Sequence, residues 1–195
     1  MRLTEKWTKD LSKRYSEPHR RYHTLAHVEE LLALLREFEL DDRDSVEAAV
    51  WFHDAIYDTH ASDNEARSAD LAETALREMQ FQNIEAVQAM IRATASHDPA
   101  GLTRDGLLFL DADLSILGSP PERYREYAAA IRGEYEWVPR PQFAAGRSAI
   151  LRRLLERPAL YLTAEMQARF EAQARENVTR ELAALAQDDP NSRSA

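Results

Sequence analysis

The stretch WFHDAIYD, residues 51–58, sets a histidine and an aspartate side by side in an apolar run. Ala49, Val50, Ile56 and Tyr57 lie three and four residues from His53, so in a helix the imidazole would share their face. Burying a polar or ionisable group without a partner costs on the order of 2 kcal/mol or more. Something elsewhere in the chain must therefore satisfy His53 and Asp54, and what does so decides both the fold and the chemistry.

The chain of 195 residues suits one domain with a sizeable core. It has no cysteine, so any metal must sit on His, Asp or Glu, and a reducing, cytoplasmic location fits. The opening MRLTEKWTKD lacks the apolar centre of a signal peptide, and no run reaches the roughly 18 apolar residues of a membrane span. The net charge of −9 argues against a nucleic-acid polymer as partner. Only five glycines, with Ala, Leu, Glu and Arg common, favour helix.

Outward from residues 51–58 the pattern reads as successive helices. A first helix is expected over 3–15. HVEELLALLREF, 27–38, carries Val28, Leu31, Leu32, Leu35 and Phe38 near helical spacing. Asp44 or Ser45 is expected to cap the next helix, which runs through WFHD. Asp63 and Asn83 are expected to cap helices over 64–80 and 84–96. GLLFLDADLSILG, 106–118, reads as a short helix closed by Gly118. Ser119, proline and Glu122 give a capping-box pattern for a helix over 122–137, broken by Pro139 and Pro141. Two more helices are expected over 142–157 and 164–187, the second opened by Thr163. The expectation is an all-α single domain over 1–187 with a disordered tail at 188–195.

His53 and Asp113 both project from strongly apolar surfaces if their segments are helical, Asp54 is taken to share the helix of His53, and His27 is taken to open its own. Four such groups from three helices would converge on one divalent cation, which would satisfy them all. The residues alone leave the alternatives open: a hydrogen-bonded core histidine, an HD pair bracing a neighbouring helix, or an aspartate acting as a cap.

The order of these residues carries a resemblance. RRYHTLAHVEELL at 20–32, WFHDAIYD at 51–58 and FLDADLSILG at 109–118 together resemble the HD superfamily of metal-dependent phosphohydrolases, in particular its uncharacterised bacterial branch. The resemblance covers roughly the first two thirds of the chain. It implies an HD-like helical bundle with additional C-terminal helices and metal ligands at His27, His53, Asp54 and Asp113. The Y-H-x-x-x-H stretch and the ADLS at 112–115 are similar to cyclic-nucleotide phosphodiesterases. That match makes His23 a general acid and selects Asp113 over Asp111 as the ligand. Thr24 stands where those enzymes carry asparagine. His23 and His27, four apart, would alternatively chelate one metal together.

The expected function is hydrolysis of a small phosphate ester, with a nucleotide among the candidates. One divalent ion (Mn, Mg, Co, Fe, Ni or Zn) would activate water. Asp113 or Asp54 would take the proton and His23 would give one to the leaving oxygen. Arg20, His97 and Arg147 are the expected substrate contacts, with Arg21 and Arg132 as further candidates. His97 is read equally as a histidine at a helix C-terminus. Asp111, Asp58 and Glu65 are expected to orient ligands or water from behind. Tyr124, Tyr127, Tyr135 and Trp137 read first as core packing and second as a wall for a nucleobase. The last two helices are left two roles, covering the pocket or forming a homodimer contact. The alternatives are a noncatalytic metal- or nucleotide-binding regulatory module and an oxygenase with two irons.

Overall fold

A computed structural model describes residue 1 and residues 3–187; the expected tail at 188–195 lies outside them. The described residues are all-α. They form α1 (Glu5–Arg14), α2 (Leu25–Leu35), α3 (Arg43–Phe52), α4 (Asn64–Glu78), α5 (Ile84–Ala93), α6 (Arg104–Asp113), a 3-10 helix (Leu114–Gly118), α7 (Pro121–Glu134), α8 (Arg140–Leu155) and α9 (Ala164–Gln187). None of these helices is long and apolar enough to cross a membrane. The chain divides into two compact units, Met1–Asp113 and the part from Leu114 onward.

In the first unit α3 is the central element, packed against α2, α4, α5 and α6. Its sequence explains this. Val46, Ala48, Ala49, Val50 and Phe52 are buried on several sides of the helix, a pattern that only a helix surrounded by others can use. Alanines at 48, 49, 69, 72 and 75 are fully buried and leave room for close approach of the helices. Each fully buried Val, Leu, Ile or Phe contributes roughly 1.5–3 kcal/mol. In the second unit α9 packs on the 3-10 helix and α8, and α7 packs on the 3-10 helix.

Several helix ends differ from the sequence reading, each for a local reason. The cap of α3 is Asp42, not Asp44 or Ser45. Asp42 Oδ1 accepts the Ser45 N–H at 3.1 Å, and Oδ2 accepts the Ser45 hydroxyl at 2.7 Å and the Asn83 amide at 2.8 Å. Asp63 and Asn83 stand at the N-caps of α4 and α5 without a side-chain cap bond; Asn83 has a left-handed backbone there, not the extended one of a capping residue, and donates its amide to Asp42. α2 begins at Leu25, so His27 lies inside its first turn, and Phe38 falls beyond its end. α3 ends at Phe52, leaving His53 as its C-cap and Asp54 in the turn that follows; the HD pair does not share one helix. The segment 106–118 is α-helical only to Asp113 and tightens to 3-10 from Leu114. The capping box at Ser119 does not form. Pro120 is the N-cap of α7, and Glu122 instead pairs with Arg125 at 3.2 Å. α7 stops at Glu134, and α8 begins at Arg140 with Pro141 in its first turn, where a missing N–H costs nothing.

Candidate metal centre

His53 is held by its place at the end of α3. Its Nδ1 lies 2.9 Å from the Val50 carbonyl. A carbonyl oxygen only accepts, so Nδ1 carries the proton and a neutral ring presents Nε2 as a lone pair. The Phe109 ring stands edge-on at 5.8 Å, closing the apolar side. His27, from the first turn of α2, brings its own Nε2 to 3.2 Å from that of His53. Asp113, the last residue of α6, places Oδ1 3.1 Å from His27 Nε2 and 3.5 Å from His53 Nε2. Among the described residues, His27, His53 and Asp113 form the group whose candidate ligand atoms all lie within 4.8 Å of one another. Asp54 flanks it, with Oδ2 3.0 Å from His53 Nε2 and 3.9 Å from His27 Nε2. Both histidines are buried, at 2% and 1% exposure.

The donor set suits a cation. Two imidazole nitrogens and two carboxylates meet in a buried space with few protons among them. Without a metal, a proton on His53 must take the cation's part. Burial works against a charged His53, but the Asp54 and Asp113 carboxylates outweigh it and hold its pKa well above the ordinary histidine value. Burial likewise opposes ionisation of Asp54, and His53 and His23 outweigh it, so its pKa lies far below the usual carboxylate range. For Asp113 burial is outweighed by hydrogen bonds from His27, His53 and His97, and its pKa is also well below that range. His27 Nδ1 is buried without a hydrogen-bond partner, so nothing on that side fixes which of its nitrogens bears the proton.

The remaining candidates fall into two sets. His97 is brought to the cluster. Its Nε2 lies 3.1 Å from Asp113 Oδ2, the oxygen not shared with His27 and His53. It sits four residues beyond the end of α5 with φ of +51°, a left-handed backbone that is uncommon outside glycine, though histidine enters it more readily than most residues. His23 lies on the rim, half-buried, its ring 4.3 Å from Tyr57 and 6.0 Å from His27.

The others are engaged elsewhere. Arg20, expected as a substrate contact, has a side chain with no exposed surface and donates to backbone carbonyls. Arg21 donates to the Pro18 carbonyl at 2.6 Å, and Arg132 closes the end of α7 on the carbonyls of Tyr135 and Val138. Arg147, in the second unit, is paired with Glu181 at 2.8 Å and donates to the Tyr127 hydroxyl at 3.3 Å. Tyr124 donates to the same Glu181, so Tyr124 and Tyr127 belong to a buried polar network. Trp137 is half-exposed beyond α7. Asp58 accepts the His60 N–H at 2.9 Å and orders its own exposed loop. Glu65 is half-buried in the first turn of α4, and Asp111 is buried in α6 two residues before Asp113.

No family model, curated protein or solved structure matches the chain.

Proposed function

We propose that this protein is a metal-dependent phosphohydrolase of the HD type, acting in the cytoplasm on a small phosphate ester with a nucleotide among the candidates. The observation that carries the reading is the convergence of His27 Nε2, His53 Nε2 and Asp113 Oδ1 from three helices, with Asp54 alongside. A divalent cation held there would supply a Lewis acid and bring the pKa of water down towards 7. The Val50 carbonyl fixes His53 with Nε2 as the free lone pair. Asp113 offers one oxygen to the two histidines while His97 engages the other, which holds the carboxylate in plane. Asp54, whose Oδ2 lies beside the cluster 3.0 Å from His53 Nε2, would accept a proton from water. His23, half-buried with its ring 6.0 Å from that of His27, would give a proton to the leaving oxygen.

The test is a hydrolysis screen of wild type and the double variant His53→Ala plus Asp54→Ala, with Mn²⁺, Mg²⁺, Co²⁺, Ni²⁺, Fe²⁺ and Zn²⁺ and a panel of phosphate esters and nucleotides. Turnover lost in the variant supports the reading; equal turnover in both sinks it. One observation favours a second reading. Arg20, Arg21, Arg132 and Arg147, the four arginines considered for neutralising a phosphate, are all engaged within the protein. A noncatalytic cation-binding regulatory module needs no such arginine. Cation bound without turnover on any ester would select it.

A further inference from the structure

We propose that Arg20 is the positioning residue of the cation cluster, a staple that fastens the segment leading into α2 to the turn carrying Asp54. The proposal rests on the cation-binding reading for what the staple serves, but the staple itself is measurable without a cation. Arg20 lies in the connection between α1 and α2. Its Nη1 donates to the carbonyl of His23 at 3.0 Å and to that of Asp54 at 2.8 Å, and Nη2 reaches the carbonyl of Ala55 at 3.4 Å. One planar fork thus joins segments 34 residues apart in the chain. These are the two segments that deliver His23 and His27 on one side and Asp54 on the other.

The surroundings hold the fork in place. Its carbon lies 5.2 Å from the ring centres of both Tyr15 and Tyr57. Nε donates to Glu17 at 3.1 Å, which offsets the buried charge. Tyr15 in turn donates its hydroxyl to the Trp51 carbonyl at 3.0 Å, on the last turn of α3. Carbonyls beyond a helix end need donors. Here one guanidinium supplies them for the turn holding the HD pair, and so fixes where Asp54 leaves the helix. A lysine would keep the charge but not the fork, because a compact ammonium cannot span three carbonyls set by a plane.

The experiment compares wild type with Arg20→Lys, first without metal, by backbone amide exchange. The reporters are Ala55, whose N–H bonds the Phe52 carbonyl at 3.1 Å, and Ile56, whose N–H bonds Ser68 Oγ at 3.0 Å. The expected result is a variant-over-wild-type acceleration of exchange at least about 10-fold greater at these two than at Ala72 and Leu76 in α4, since the loss is local. A change of the same factor at all four is mere destabilisation and overturns the staple. Mn²⁺ titration then reads affinity. The expected loss in the variant is about 10- to 100-fold at unchanged stoichiometry, the usual effect of removing a group that orients ligands. Wild-type affinity in a variant whose turn has loosened overturns the positioning role. Failure of wild type to bind Mn²⁺ is a different result, recognisable on its own, and it removes both the cluster reading and the role. Should Arg20→Lys not fold, wild type alone decides. Mn²⁺ should slow exchange of Ala55 and of the Arg20 guanidinium protons together, and protection of Ala55 with the Arg20 protons still exchanging freely overturns the proposal.

Discussion

His97→Asn separates what the cluster gains from His97 from what the fold pays for it. The residue holds φ of +51°, which costs a side chain other than glycine roughly 1–3 kcal/mol. Asparagine enters that region several-fold more readily than most residues. The exchange therefore relieves part of the strain, while it removes the bond from Nε2 to Asp113 Oδ2 at 3.1 Å. A hydrogen bond to a charged group contributes about 1.5–3 kcal/mol, and this one sits at the lower end because both side chains are partly exposed, at 18% and 15%. The two changes oppose each other, so stability in urea should move by no more than about 1 kcal/mol in either direction. Cation affinity has no such compensation. With Asp113 free to rotate, it should fall about 10-fold or more, read by calorimetric titration with Mn²⁺. An unchanged affinity, or a loss of several kcal/mol in stability with affinity intact, would refute the assignment of His97 as the group that aligns Asp113.

Two further outcomes test the fold itself. A Cβ added at Gly118 would lie 2.6 Å from Phe170 Cβ, 2.7 Å from its carbonyl oxygen and 2.9 Å from its Cα. Most of that obstruction is backbone of α9, so Gly118→Ala should cost about 1–3 kcal/mol in a urea melt, and a loss near zero would show that the 3-10 helix and α9 are not packed this closely. Asp42→Ala removes the cap of α3 and should cost about 1 kcal/mol at pH 7. Burial pulls the Asp42 carboxyl up, but the bonds from Ser45 and Asn83 outweigh it and leave its pKa lowered. A lowered pKa gives stability that is present above the unfolded value of about 3.9 and is lost as pH falls through the folded one. The gap between wild type and variant should therefore narrow in melts below pH 4, and a gap that widens there would contradict the role of Asp42.

The helices of this protein were legible from periodicity, and α9 from its Thr163-led start to Gln187 needed nothing more. His27, His53 and Asp113 were legible as a set, because each is polar at an apolar position and the fold has to bring such groups together. The caps were less so. In DDRDS four residues (Asp41, Asp42, Asp44 and Ser45) can each accept an N–H, and only the Asn83 amide from the far side of α4 selects Asp42. The end of α3 at Phe52 was hidden because AIY continues the apolar pattern past it, while the donor that meets the turn's carbonyls, Arg20, lies 34 residues earlier. Arginine in a sequence looks alike whether it meets water, phosphate or carbonyls, so its burial between Tyr15 and Tyr57 had no local sign. His97 could be placed near a helix end but not turned, since its positive φ is imposed by tertiary structure and asparagine or glycine is the usual marker of such a position.

The most direct test is the cation content of the folded protein. Metal-free wild type, His27→Ala and Asp113→Ala would be titrated with Co²⁺ while absorbance and bound metal per chain are followed. One cation per chain in wild type, with binding abolished or weakened at least 100-fold in both variants, is expected if His27, His53 and Asp113 converge to hold it. A folded wild type that takes up no Co²⁺, or variants that bind it as wild type does, would contradict the metal centre and leave His53 and Asp54 as a proton-linked pair of structural groups.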